Sequence, residues 1–169
     1  VQVLEAGAQP GGRVRGGLHQ GEPADIGFQT ILRGYPQASA FLDAIGIGAS
    51  QVRTFQRRIV LHDGHKWRRI KLVGPGGIAT SLLIPRSDIA RLARIGARAV
   101  VGGVRELDAG HDESAVAMFE REGVSPTTID RVLRPLLGSM LLDRTLEADA
   151  GYVRFLLAMI GRGPAILPV

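Results

Sequence analysis

Val3-Leu4-Glu5-Ala6 and, after a short spacer, Gly11-Gly12-Arg13-Val14-Arg15 form the stretch whose reading decides the fold. The run Val1 to Leu4 is short and apolar, and Glu5 and a Gly/Pro segment end it. That is the pattern of a buried parallel strand finishing at a ligand crevice. In a doubly wound sheet, a carboxylate at the end of the second strand can accept both hydroxyls of an adenosine ribose, because those neutral donors need a fixed acceptor. Glu5 is placed for that role. Gly11 and Gly12 remove Cβ atoms where a backbone must lie against a ligand, and Arg13 supplies a forked donor suited to a pyrophosphate or the polar edge of a flavin. Singly, each residue reads better as a solvated strand end, a turn glycine or a surface arginine. The three in succession after a buried strand do not.

Downstream, a weak extended stretch follows Gly16-Gly17, and Ala24 to Leu32 carries Gly27 at a close backbone approach. Pro36 suits the first turn of a helix with a buried stripe of Ala38, Phe41, Leu42 and Ile45. The segments Val52 to Leu61 and His65 to Leu72 flank Asp63-Gly64, a pair that favours a two-residue type I′ hairpin turn. After the glycine loop Gly74 to Gly77, a helix starts at Ser87 or Asp88 and stops at Gly102-Gly103. A second runs from about Glu113 to Glu122, capped by Asp112 and closed by Gly123. A third starts at Ser125-Pro126 and buries Ile129, Val132 and Leu133, with Pro135 ending or kinking it. A fourth spans about Ala148 to Ile160, carries Tyr152, Phe155, Leu156, Met159 and Ile160 on one face, and closes at Gly161.

Composition narrows the classes. The 169 residues are 45% hydrophobic, enough for a real core, and contain no cysteine. That excludes disulfides, thiolate metal sites and a cysteine nucleophile, and it suits a reducing compartment. Net charge is +5, carried almost wholly by arginine and scattered along the chain, with two tyrosines and one tryptophan to stack bases. No nucleic-acid partner is expected. Arg134, Pro135, Asp143, Arg144 and Arg154 interrupt the most apolar stretch, so no run is long enough to span a membrane.

Glu5-Ala6, Gly11-Gly12-Arg13-Val14-Arg15 and Asp25-Ile26-Gly27-Phe28-Gln29 together resemble the flavin-containing amine oxidases and phytoene desaturases, particularly the desaturase-related bacterial oxidoreductases. The likeness continues in Tyr35-Pro36, Asp112-Glu113-Ser114, Arg134-Pro135-Leu136-Leu137-Gly138 and Leu141-Leu142-Asp143, and is looser between about Lys71 and Val104. The resemblance implies FAD as cofactor, held by Glu5, Ala6, Gly11, Gly12, Arg13, Arg15, Gly27, Phe28 and Gln29. It implies an α/β fold with a Rossmann-like FAD-binding portion over residues 1–33, and an α+β substrate domain over residues 34–169. It also implies that the chain is a fragment, inactive alone. The family's GxGxxG turn should precede Val1, and a C-terminal segment should complete the FAD site. Gly7 stands where amine oxidases often carry arginine, which favours the desaturase-related branch.

The implied reaction is hydride removal from an apolar, polyene- or carotenoid-like substrate to the flavin, with an amine as the alternative substrate. The reading from another class is a non-catalytic, FAD-less module or inactive fragment. No catalytic residue is legible. The expected location is cytoplasmic, with peripheral membrane contact as an option through Arg91, Arg94 and Arg98 on one helix face, although a solvated face is the commoner meaning of such a stripe. His62 and His65 flank the hairpin turn without a third ligand, so no metal site is expected. Val132 and Phe155 read as core rather than as the lining of a substrate tunnel.

Overall fold

The computed structural model describes residues 2, 4–12, 15–25, 30–56, 58–62, 64–73, 78–80, 84–107 and 112–168. Two short strands, β1 (Gly16–His19) and β2 (Glu22–Asp25), pair antiparallel as a hairpin. Gln20 and Gly21 both take positive φ at its turn, the requirement of a type I′ connection. Strand β3 (Ile31–Leu32) leads into helix α1 (Pro36–Ala44), where Pro36 occupies the first turn as expected. Its buried stripe is narrower than the periodicity suggests. Leu42 is buried and Ala38 half-buried, but Phe41 and Ile45 are exposed.

Strand β4 (Val52–Thr54) does not extend the next hairpin. It pairs with β8 (Ala165–Pro168), which also pairs with β3, so three segments far apart in sequence form one sheet in the order β3-β8-β4. The hairpin comprises β5 (Arg58–His62) and β6 (Trp67–Val73), with β7 (Ile78–Thr80) as the third strand of that sheet. His62 opposite Trp67 is its closing pair. The loop therefore has four residues, not two, although Gly64 supplies the expected positive φ. The glycine loop 74–77 lies outside the described residues.

The remainder is helical. Helix α2 (Arg86–Gly102) begins after Pro85 and stops at Gly103, whose φ of 61° breaks the helix. A 3₁₀ segment, Gly103–Leu107, follows. Helix α3 (Ala115–Arg121) is capped by the Ser114 side chain, which accepts from the Ala117 amide, rather than by Asp112. Ser125 caps α4 (Pro126–Thr128), which passes through a π turn, Ile129–Leu133, into α5 (Arg134–Leu141). Pro135 therefore does not end this helix, but the regular α turns give way to a π turn immediately before it. It lacks an N–H and its ring would crowd the carbonyl four residues back, and the wider turn just before it, with the Arg134 amide bonded to the Ile129 carbonyl, accommodates both.

Helix α6 (Ala150–Arg162) is capped by Asp149, contains Gly161 and ends at Gly163. It packs along α2, and Gly34 and Gly163 bring the chain onto its C-terminal end so closely that a Cβ on Gly34 would lie 2.0 Å from the Met159 carbonyl oxygen.

The main core joins Ile95 of α2, Met118 and Phe119 of α3, Leu133 and Leu137, and Val153 and Leu156 of α6. A second cluster seats the β5–β6 hairpin on this body through Ile70, Ile84 and Val132. Val132 is fully buried, as a core residue should be, and Phe155 packs beside Ala99, Ala158 and Met159. Every strand pairing among the described residues is antiparallel. The mixture of helix and strand is as expected; of the strand expected at Val1 to Leu4, Val1 and Val3 lie outside the described residues. Gln2 and Leu4 lie in no strand, and Leu4 is 86% exposed.

Candidate functional site

Residues 4–12 form an irregular, exposed segment. Glu5 is not held at a strand end. Its side chain folds back, and Oε1 accepts the Gly7 amide at 2.7 Å. A Cβ on Gly7 would lie 3.1 Å from that oxygen, so glycine there gives the carboxylate room to turn. One oxygen is thereby fixed, while the other takes no hydrogen bond from a described residue. A partly immobilised, exposed acceptor is what a pair of ribose hydroxyls requires. Ala6 lies in the same exposed bend.

Gly11 and Gly12 have φ of 114° and 50°, and the Arg15 amide donates to the Gly12 carbonyl at 3.4 Å. Glycine is thus needed here for backbone conformation. A Cβ on Gly12 would meet nothing within 4 Å, which leaves open space beside the turn, and Arg15 is exposed next to it. Glu5, Ala6, Gly11, Gly12 and Arg15 are all exposed. Arg13, Gly27, Phe28 and Gln29 lie outside the described residues. The chemistry of this donor set fits the adenosine side of a dinucleotide: a fixed carboxylate acceptor, a turn that leaves the backbone accessible and a guanidinium.

The other candidates resolve differently. The His62 ring stands edge-on to Trp67 at 4.9 Å, and no group of three metal-ligating side chains exists among the described residues. Arg91 pairs with Asp88, and Arg94 and Arg98 pair with Glu122, so the arginine stripe of α2 is tied to the protein's own carboxylates. No helix among the described residues is long and apolar enough to cross a membrane.

The most tightly built polar site is one that sequence reasoning took only for a helix start. Asp88 is fully buried. Its Oδ2 accepts from the Ser125 amide at 3.1 Å, the Ser125 hydroxyl at 2.5 Å and the Thr128 hydroxyl at 2.6 Å, and its Oδ1 accepts from Arg91 at 2.8 Å. Burial alone would raise its pKa, but the hydrogen bonds from Ser125, Thr128 and Arg91 outweigh it and bring the carboxyl down to about 2. This site locks the start of α2 to the start of α4. A second lock holds the loop after α5: Asp143 accepts from the Thr145 hydroxyl and from the Thr145 and Ala148 amides, and these bonds lower its pKa. Arg134 reaches the Arg144 carbonyl at 3.2 Å and also the Thr145 carbonyl.

The described residues form a helical body bearing small antiparallel sheets, a mixed helix-and-strand chain with an exposed carboxylate and glycine turn near its start. The model of the flavin-containing amine oxidoreductase family matches residues 1–169, and the chain belongs to that family. Membership implies flavin-dependent oxidoreductase activity with a flavin cofactor. No curated protein matches the chain.

Proposed function

We propose that this chain serves an FAD-dependent oxidoreductase, with residues 1–33 in the FAD-binding portion and residues 34–169 in the substrate domain. The observation that carries the reading is the Glu5 carboxylate, one oxygen pinned by the Gly7 amide and the other open, ahead of the positive-φ pair Gly11-Gly12. Glu5 accepts the ribose hydroxyls, Gly11 and Gly12 let the backbone lie along the cofactor, and Arg13 and Arg15 face its charged part, with Gly27, Phe28 and Gln29 beside the ring system. FAD, when bound, would supply the hydride acceptor, with oxygen or another acceptor as the final oxidant. The protein's part is to orient the substrate and keep water out.

The substrate is an apolar, polyene- or carotenoid-like molecule, a reading supported by Gly7 at a position where arginine would mark the amine-oxidase branch. An amine is the second reading, supported by the description of the matched family. A flavin-free module is the reading from another class, and the visible spectrum of the full-length protein separates it from both, since bound flavin absorbs in the blue. The direct test is FAD titration of Glu5→Ala. Loss of a charge-assisted bond of about 1.5–3 kcal/mol weakens binding about 10- to 150-fold. Unchanged affinity removes Glu5 from the site. Anaerobic bleaching of the flavin by a polyene, and not by amines, supports the first substrate class, and the reverse supports the second.

A further inference from the structure

Positive charge, which reads as scattered along the sequence, is in fact concentrated. Residues 53–86 hold eight Lys and Arg residues and one acidic residue, Asp63, a net of +7 in a chain whose total is +5. The β5–β6 hairpin lies in the middle of this stretch. Its register places Ile59 opposite Ile70 and Leu61 opposite Arg68 on one face, and Val60 opposite Arg69 and His62 opposite Trp67 on the other. Ile59, Leu61 and Ile70 pack with Ile84 and Val132, which fixes the first face against the helical body. The second face carries Arg58, Val60, His62, Trp67 and Arg69. Trp67 is 70% exposed and Val60 52%. Neither Arg58 nor Arg69 forms an ion pair with a described residue.

We propose that this hairpin face rests on an anionic membrane surface. An indole and an isopropyl group left in water amid arginines gain by entering the bilayer interface, where tryptophan is favoured. The guanidinium groups, on long aliphatic stems, reach lipid phosphates from the same depth. A nucleic acid would match the charge but leave Val60 in water. The arginine stripe of α2 does not take this role, because Asp88 and Glu122 already neutralise it. The inference goes beyond the redox reading and holds whichever substrate class that reading takes.

Trp67 is the sole tryptophan of the chain, so its emission reports this face alone. The probe is a phosphatidylcholine vesicle with or without phosphatidylserine, at low and high salt, with brominated acyl chains as quencher. The expected result is a blue shift and bromine quenching with phosphatidylserine only, reversed by salt. Arg58→Gln/Arg69→Gln keeps Trp67 and is expected to partition about 25-fold more weakly, at about fivefold per basic side chain. Four results would each overturn the proposal. One is emission already that of a buried indole in buffer, and another is no response to anionic vesicles. The others are equal response to both vesicle types, and a shift produced by a single-stranded oligonucleotide but not by vesicles. If the double variant fails to match the parent's circular dichroism, the bromine quenching of the parent decides the matter.

Discussion

Replacing Asp88 by Asn tests the account of the helical body most sharply. The carboxylate is fully buried and takes four hydrogen bonds from Ser125, Thr128 and Arg91. Its pKa lies at about 2, against an ordinary value of 3.8. A group whose folded pKa is depressed adds stability above its unfolded pKa and loses it as pH falls through the folded one. Here the loss therefore runs from about pH 4 down to about pH 2. At about 1.4 kcal/mol per pH unit, the ionised form contributes about 2 kcal/mol at neutral pH. Asn has nearly the same shape, but it keeps a single acceptor oxygen, so its NH2 must face either the Ser125 and Thr128 donors or the Arg91 guanidinium, and the charge is lost. The variant is expected to be about 2–3 kcal/mol less stable at pH 7. That gap should narrow as the pH falls toward 2, because only the parent loses a charged acceptor. Urea unfolding of both proteins at several pH values between 7 and 2.5 reads the effect directly, since the remaining carboxyls, Asp143 with its lowered pKa among them, are common to both and cancel. Parallel stability curves across that range would refute the assignment of a charged, buried Asp88.

Other expectations follow from the backbone and from the cofactor site. Leu142 and Leu146 both have φ near 60°, but Leu142 is 93% exposed and Leu146 fully buried. Leu142→Gly should raise stability by about 0.5–1 kcal/mol in thermal unfolding, because it relieves left-handed strain and surrenders no burial. Leu146→Gly should cost about 2–5 kcal/mol through the cavity it leaves, and a loss of stability in both variants would contradict the strain argument. The 169 residues contain no Gly-x-Gly-x-x-Gly turn, so this chain, given excess FAD and desalted, is expected to retain far less than one flavin per chain. Stoichiometric retention would mean that these residues alone build a complete site.

What the sequence made legible follows from the range of each signal. Ser125-Pro126 and Gly123 start and stop helices through contacts within a few residues, and those boundaries match the structure closely. Gly103 does the same for α2. The β3-β8-β4 sheet was illegible, because Ile31 and Thr54 find their partner at Ile166 across most of the chain, and β8 itself was not expected. The Asp63-Gly64 pair pointed to the right hairpin but the wrong loop length, since His62 opposite Trp67 closes the strands earlier than a two-residue turn would. Gln20 in a left-handed turn hid the first hairpin, as glutamine carries no turn signal. At the candidate site, a four-residue run with three apolar side chains was too short to distinguish a buried strand from an exposed segment. Asp88 and Ser125 were each visible as helix starts, but nothing local announces that one carboxylate serves both helices or that Thr128 joins them.

The two parts of the chain differ in what holds them. Asp88, Asp143 and the core around Phe119 and Val153 fix the helical body through buried apolar side chains and hydrogen bonds in which each partner is itself positioned by packing. Residues 4–12 bury nothing, and the one side-chain bond among them joins Glu5 to a residue two positions away. Stability of the whole therefore depends little on that segment, whose acceptor geometry comes from a local turn. A carboxylate held this way costs the fold almost nothing to keep in water and loses little solvation when a diol approaches, because one oxygen already has its donor. The same economy makes Gly7 a determinant of Glu5: a side chain at position 7 would crowd Oε1 at 3.1 Å and displace the carboxylate without touching the core. Glu5 and Gly7 form one unit, and cofactor affinity and chain stability are separate quantities because no described residue is a partner to both.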